Sequence, residues 1–427
     1  ADASFYRMGN ALTLDFLSAR LPGGGSLGLE GGVDGDSLNM SFYASGADLS
    51  QVQALEPQAD MTGRADMQGT VQGPLANPRV QVSFTAVDGA LFKQPYTHLT
   101  GAASGSLDGI GIDSFTMENG GEPVWLVDGS IGFTGEKRVD LRIDTTGARM
   151  EDIAALVAPD QPITGNVDNI IEITGTLDNP SAVGYIHFYQ GSYRGMLLSG
   201  MDGDYTIRDG VTTLQDFHIY SPLVDMDLNG TINAEQELNL RVAAHEIQVD
   251  RFGSHLPYPL SGRGRFDGTI GGTLNRPLFE GRLDAREMVV NGQTVTDAHG
   301  DVRYRGHRVY LDHFGFKQND GSYELKARAN TETGELDGKL TVDNGDINAR
   351  LAMANLKNDK LAGRLNGTIL LGGTLANPLA QLNGFVGQGS IAGYDVHDIN
   401  MNLSLANHVI TLDQFQQQTI MWLQLGQ

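Results

Sequence analysis

The chain has 427 residues, with 52 acidic and 29 basic side chains and a formal net charge of −23. A surface of this charge repels nucleic acid and anionic lipid headgroups, which argues against nucleic-acid binding. The sequence contains no cysteine, so disulfides and thiolate metal sites are excluded. No apolar run approaches the ~20 residues that a membrane-spanning helix needs.

Four copies of one pattern divide the chain. In each copy a second glycine follows the first by 10 residues, a proline by 15 and a phenylalanine by 52. The copies begin at Gly63, Gly165, Gly262 and Gly363. This spacing predicts repeats of roughly 100 residues: a partial repeat at 1–63, repeats at 64–165, 166–262 and 263–363, and a partial repeat at 364–427. Because both ends fall inside a repeat, we expect a segment of a longer protein.

Alternation of apolar and polar residues is the dominant local pattern, and it predicts β-strands. The apolar side chains would share one face of an antiparallel sheet, and the charged side chains would share the other. Strands every ~11 to 12 residues would give about three dozen in all. In chain order, the residues that we assign to the apolar face are Leu38, Met40, Phe42, Val139, Leu141, Ile143, Val224, Met226, Leu228, Leu238, Leu240, Val242, Leu325, Leu340 and Val342.

Helix is scarce in the sequence. Short helices are predicted at 48–56, 150–158 and 346–357, with a weaker one at 246–256, each just before the first glycine of a repeat. Asp346 suits the N-cap of its helix, with Ile347 and Leu351 on one side. We expect these helices to connect one repeat to the next.

Each repeat also carries a glycine followed five residues later by a proline, and we assign these residues a structural function. Proline cannot donate to a strand ladder and fixes its own φ, so the segment should end a strand at a turn. The glycines are expected where a strand bends or two backbones approach. The turn residues are Gly73, Pro78, Gly175, Pro180, Gly272, Pro277, Gly373 and Pro378. Further hairpin turns are predicted at Asp209-Gly210, Asn229-Gly230, Asp267-Gly268 and Asn366-Gly367.

Motifs for catalysis or metal binding are weak. The segment around Ser26 matches the G-x-S-x-G pattern of a nucleophile elbow, but an alternating strand follows it where the motif needs a helix. The segment from Asp225 to Asn229 opens like a calcium loop, yet its twelfth position is Gln236 instead of glutamate. The histidines have no metal-ligand spacing. The sequence therefore predicts no enzyme, no metal and no cofactor.

A sheet with one apolar face has to cover that face. A second sheet would cover it in a sandwich, whereas a U-shaped trough would leave it facing a ligand. An uninterrupted wall of Leu, Ile, Val, Met and Phe suits acyl chains. At ~0.8 kcal/mol per methylene, exposing a chain of about 16 carbons to water costs about 12 kcal/mol, so a carrier needs a continuous apolar path.

The repeat motifs resemble a known family. The turn segments are GPLANP at 73–78, GTLDNP at 175–180 and GTLANP at 373–378. A Leu-x-x-Phe strand follows at 214–217 and 412–415, with Ile112 in place of leucine in the first copy, and a short helix is predicted before the next glycine of the pattern. This order is similar to the TamB family of bacterial envelope proteins, within the AsmA-like superfamily of bridge-type lipid carriers. The third repeat departs from the pattern, because it reads Leu274-Asn275-Arg276-Pro277 and has Met288 where its siblings have Gly89, Gly191 and Gly389.

The resemblance implies an all-β fold, an elongated array of antiparallel strands curled into a hydrophobic trough (a β-taco) with short linker helices. It also implies a periplasmic location in a diderm bacterium, an inner-membrane anchor outside this segment, and an outer-membrane barrel of the Omp85 type as partner. The implied function is to conduct phospholipid between the two membranes, with its acyl chains in the groove, and so to support outer-membrane biogenesis.

Two other functions stay open at this point. A structural or adhesive β-solenoid would have a dry core, although solenoid rungs usually repeat every ~20–30 residues. A chaperone for outer-membrane barrel proteins would instead donate strand edges by β-augmentation.

Overall fold

The computed structural model describes residues 2–54, 61–157, 161–252, 259–348, 361–407 and 409–417. Across these residues the chain forms 26 strands and three short helices. The helices are a 3₁₀ helix at Leu49–Ala54, α1 at Met150–Val157 and α2 at Val249–Phe252. The prediction of an all-β array of strands with short linker helices is confirmed.

Contacts within the chain define two compact units, Ala1–Phe217 and His218–Gln427. The strands of unit 1 are β1 (Asp2–Met8), β2 (Ala11–Arg20), β3 (Ser26–Asp34), β4 (Ser37–Asp48), β5 (Thr62–Pro74), β6 (Arg79–Leu91), β7 (Gln94–Ser106), β8 (Gly109–Asn119), β9 (Glu122–Gly132), β10 (Arg138–Arg149), β11 (Ile163–Thr176), β12 (Pro180–Tyr193) and β13 (Met196–Arg208). The boundary between the units falls within β14 (Val211–Tyr220).

The strands of unit 2 are β15 (Val224–Ile232), β16 (Leu238–Gln248), β17 (Leu260–Thr273), β18 (Arg276–Val290), β19 (Gln293–Arg305), β20 (Arg308–Gln318), β21 (Gly321–Asn330), β22 (Leu336–Asp346), β23 (Leu361–Gly373), β24 (Pro378–Ile391), β25 (Tyr394–Ala406) and β26 (Val409–Gln417).

Strand pairing follows the chain. From β1 to β13 every strand pairs antiparallel with the next one. The same holds from β15 to β26. Each unit is therefore an antiparallel meander, as expected when short polar turns join strands of alternating pattern.

The glycine–proline segments form the predicted turns. Gly175 pairs with Pro180, Gly272 with Pro277, and Gly373 with Pro378, so the two residues face each other where one strand ends and the next begins. The four equivalent glycines, Gly73, Gly175, Gly272 and Gly373, all have positive φ, between 76° and 101°. This backbone conformation disfavours residues with a Cβ, which explains the recurring glycine.

Three of the four predicted hairpin turns are wrong. Only Asp209-Gly210 joins two strands, β13 and β14. Asn229-Gly230, Asp267-Gly268 and Asn366-Gly367 lie inside β15, β17 and β23. At Gly268 a Cβ would lie 2.7 Å from the Cα of Gly281 on the neighbouring strand, so glycine serves close backbone approach there. Strands that run through these dipeptides are longer than predicted, which is why there are fewer of them than three dozen.

The helix predictions succeed unevenly. The 3₁₀ helix and α1 lie where helices are predicted at 48–56 and 150–158. The weaker candidate at 246–256 contains only the single turn of α2 within the described residues. Most of the candidate at 346–357 lies outside the described residues, but 347–348 are helical. Asp346, the last residue of β22, accepts a hydrogen bond at its Oδ1 from the backbone N–H of Asn348 at 2.9 Å, as predicted for an N-cap.

Bulges interrupt the ladders at recurring positions. Asp216 and His313 each directly precede the phenylalanine that stands 52 residues after the first glycine of its repeat, and they have φ of 50° and 49°. At His313 the register shifts between the pairs Leu311↔Ala327 and Phe314↔Leu325. A bulge bends its strand and increases its twist, so these shifts curve the sheet.

The first glycine of a repeat marks a second close approach. A Cβ on Gly165 would lie 2.8 Å from the Cα of Gly191, and one on Gly363 would lie 3.2 Å from the Cα of Gly389. In the third repeat Gly262 faces Met288, and a Cβ on Gly262 would lie 3.0 Å from the Cα of Met288. One glycine per pair therefore suffices for the contact there.

We expect Gly191→Ala to destabilise unit 1 by about 1–3 kcal/mol, because its Cβ would overlap the Phe188 ring and the carbonyl oxygen of Thr164. The midpoint of urea unfolding measures this loss. Gly111→Ala is the matched control, since its Cβ would find its nearest neighbour, the carbonyl oxygen of Ser104, at 3.6 Å. Equal midpoints for the two variants would contradict the close-approach explanation.

Candidate functional site: the apolar face

The register places the predicted apolar residues on one face of each unit. Leu228 pairs with Val242, and Leu325 pairs with Leu340, so these side chains stand side by side across neighbouring strands. In unit 1, Met40 pairs with Val71, another apolar residue. Residues paired across an antiparallel ladder point to the same side of the sheet, which makes these positions one continuous face within each unit.

Burial varies along this face. Five of the predicted residues are buried: Val139, Leu228, Leu240, Val242 and Val342. The other ten are half-buried: Leu38, Met40, Phe42, Leu141, Ile143, Val224, Met226, Leu238, Leu325 and Leu340. None of the fifteen is fully exposed, so the face is sheltered but only partly filled by protein.

Beside the linker helices, buried apolar side chains form a core in each unit. In unit 1, Leu49 of the 3₁₀ helix and Trp125 pack against a buried cluster that includes Leu99 and Met117. In unit 2, Ile347, directly after β22, packs against Leu365, Val386 and Ile399. Burial of this apolar surface, at about 25 cal/mol per Å², contributes most of the stability expected for such a sheet.

Parts of the face are open. In unit 2, β23 to β26 and Ile347 line an apolar cavity of 220 Å³. Its wall includes Ile369, Leu382, Leu403 and Ile410, and its few polar lining residues are serines. A second apolar cavity, of 350 Å³, lies in unit 1 between β1 and β4. These cavities are where the sheet has apolar surface without protein to cover it.

Met40 is a predicted residue that lines a cavity, together with Phe5, Leu12, Leu14 and Val33. The sequence prediction missed these four and the β23 to β26 wall. The repeat offsets carried a usable signal, because Val71, Ile173, Ile270 and Leu371 all stand eight residues after the first glycine of their repeat. The register puts each of them on the apolar face.

The opposite face is polar and holds paired charges. Arg142 donates to Glu172 at 3.1 Å, and Arg303 donates to Asp312 at 2.6 Å. Asp227 accepts hydrogen bonds from Nδ1 of His218 at 2.8 Å and from Nε2 of His245 at 2.7 Å. The bond from His218, followed by that from His245, holds the pKa of the Asp227 carboxyl below its usual value.

The motifs considered for chemistry lie in strands. Ser26 begins β3 and pairs with Arg20 and Ser45, so it does not sit on a strand–turn–helix elbow. Asp225 and Asn229 lie within β15 instead of a loop. Among the described residues, no group of three or more His, Asp or Glu side chains is placed to hold a metal ion. No helix in the described ranges is both long enough and apolar enough to cross a membrane.

Comparison with protein-family models, with curated proteins and with solved structures finds no match to this chain. The apolar face and its cavities are therefore the basis on which a function is proposed.

Asp227 gives unit 2 an acid-sensitive contact. Its folded pKa lies below its unfolded value, so the stabilisation is complete above the unfolded pKa and is lost as pH falls through the folded pKa. We expect Asp227→Asn to flatten the loss of stability on acidification below the ordinary aspartate value of 3.8. Urea unfolding at about pH 5 and about pH 3 measures this slope.

The control for this change is Asp343→Asn, which removes an exposed carboxylate that has no hydrogen bond or ion pair within the described part of unit 2. An acid response that Asp227→Asn leaves as steep as in the parent chain would contradict the assignment to the two histidine contacts.

Proposed function

We propose that this chain is a non-enzymatic segment of a bridge-type carrier that conducts phospholipid, with the acyl chains lying on the apolar face of each unit. The observation that carries the proposal is the open part of this face, where the 220 Å³ cavity of unit 2 is bounded by aliphatic side chains from four consecutive strands. A face built for protein packing alone would be closed along its whole length.

The energetics favour an acyl chain as occupant. Moving each methylene from water to an apolar surface gains about 0.8 kcal/mol, so a chain of about 16 carbons gains about 12 kcal/mol in full. Aliphatic walls offer no directional hydrogen bonds, so they hold such a chain without fixing it at one position. Movement of the acyl chain between equivalent positions therefore costs little free energy as long as the wall stays apolar.

The polar face also supports the proposal that lipid occupies the apolar face. It carries the charged side chains of the strands, so water can cover it while the apolar face stays available to lipid. The resemblance of the repeats to the TamB family adds the cellular setting to the proposal. In that setting the segment lies in the periplasm, its parent protein is anchored in the inner membrane, and an Omp85-type outer-membrane barrel is the partner.

The variant that tests lipid contact is Ile410→Glu. Ile410 lines the unit 2 cavity and is 40% exposed, so a carboxylate there can stay hydrated while the strand still forms. We expect it to reduce the amount of phospholipid that co-purifies with the chain by about tenfold, because a charge on the wall interrupts the apolar surface. Mass spectrometry of lipids extracted from the purified protein measures the amount.

Val409→Glu is the matched control. Val409 is the neighbouring residue of β26, it is 61% exposed, and it points to the other face of the sheet because side chains alternate along a strand. We expect lipid to remain bound to this variant. If the parent chain carries no lipid, or if both variants retain it equally, the proposal fails.

The same purification separates the alternatives. A structural or adhesive protein with a dry core would yield no lipid, and a strand-donating chaperone would crosslink to nascent barrel proteins through a strand edge. Either result, in the absence of bound phospholipid, would contradict the carrier function and favour the corresponding alternative.

A further inference from the structure

Charge is unevenly distributed along the chain. Residues 241–339, which include most of the third repeat, contain 14 basic and 14 acidic side chains. All the remaining residues together contain 15 basic and 38 acidic side chains, so they account for the whole net charge of −23. The third repeat is thus the one long stretch whose surface does not repel anions through its own net charge.

This neutral stretch contains an open cavity of 930 Å³ on the polar side of unit 2, formed by β16 to β21. Its size lies in the range of ~300–1,000 Å³ typical of ligand pockets. The basic side chains that line it are Arg263, Arg265, Arg282, Arg286 and Lys317. The acidic ones are Glu246, Asp284, Glu287 and Asp297.

Three of the basic residues are already neutralised by acidic neighbours. Arg263 pairs with Glu246 at 3.3 Å, and Arg282 pairs with Asp284 at 3.3 Å. Lys317 pairs with Asp297 at 3.0 Å.

Arg265 and Arg286 are different. Neither guanidinium makes a hydrogen bond or ion pair with any of the residues that the structure describes. They leave two uncommitted positive charges in the cavity, against the single unpaired carboxylate of Glu287.

The two free guanidiniums belong to neighbouring strands that line the same cavity. Arg265 pairs with Asp284 across β17 and β18, and Arg286 follows two residues later on β18. The register shifts between Gly262 and Arg265, so Arg286 lies beside a bulge, and both arginines line the same cavity. Gly315 lines the same cavity and has no side chain to fill the space.

We propose that this cavity binds a phosphate-bearing ligand with at least two negative charges, held by Arg265 and Arg286. The planar guanidinium fork matches phosphate oxygens in a bidentate geometry, which lysine does not offer. The ligand is a diphosphate group, free in solution or carried on a lipid headgroup. The site lies on the polar face, so it does not depend on the proposed acyl-chain path on the other side of the sheet.

The test uses the complete 427-residue chain and inorganic pyrophosphate as the probe, with binding measured by titration calorimetry. We expect saturable binding that weakens as salt concentration rises. The double variant Arg265→Gln/Arg286→Gln should weaken binding by about tenfold or more, because each guanidinium supplies charge-assisted hydrogen bonds. Gly315→Val, which fills the cavity without changing charge, should weaken it as well.

Arg305→Gln/Arg308→Gln is the matched control. Both arginines are exposed in the same neutral stretch, at the turn between β19 and β20, and neither lines the cavity. This variant changes the net charge equally and should bind pyrophosphate like the parent chain. An equal loss in both double variants, or no loss in either, would overturn the site.

A second arm identifies the source of the phosphate. Flotation with vesicles of phosphatidylcholine, with and without a lipid carrying a diphosphate headgroup, separates lipid-borne from free diphosphate. Binding of either form that is lost in Arg265→Gln/Arg286→Gln and kept in Arg305→Gln/Arg308→Gln supports the proposal. Absence of both, or binding of an acidic peptide in place of phosphate, overturns it.

Discussion

The two-residue period of the β-strand is the constraint on which this molecule depends. Because side chains alternate and each strand pairs with the next one in the chain, the apolar side chains of the alternating segments in a unit are directed to the same side. That side of the sheet must then be covered by protein or left open to a ligand. Residues such as Leu49 and Ile347 bury part of it, and the described residues also leave apolar cavities along it.

The sequence predicts the strands and the face well because both depend only on local alternation. Leu228 and Val242 stand opposite each other as alternation in β15 and β16 requires. Asn-Gly and Asp-Gly dipeptides misled the turn prediction, since glycine allows close backbone approach as well as positive φ. Gly268, at the centre of β17, shows the first use, and Gly272, at its end, shows the second.

The sequence contains a signal for the bulges that the strand prediction did not use. The interval from Leu311 to Phe314 is three residues, which breaks the period of two, and the structure has a register shift at this interval. The open cavities were harder to foresee, because burial depends on what covers a strand and not on the strand's own pattern. Leu240 and Leu238 belong to the same alternating segment, yet one is buried and the other half-buried.

The sequential pairing of the strands also bears on how the molecule forms and how it can vary in length. Within the described residues of each unit, strands pair with their neighbours along the chain, so a hairpin can form early, without waiting for a distant partner. Gain or loss of one complete repeat would preserve the phase of alternation on both sides of the junction. A carrier of the kind proposed above could change its length by changing its number of repeats, while each repeat keeps the same apolar face.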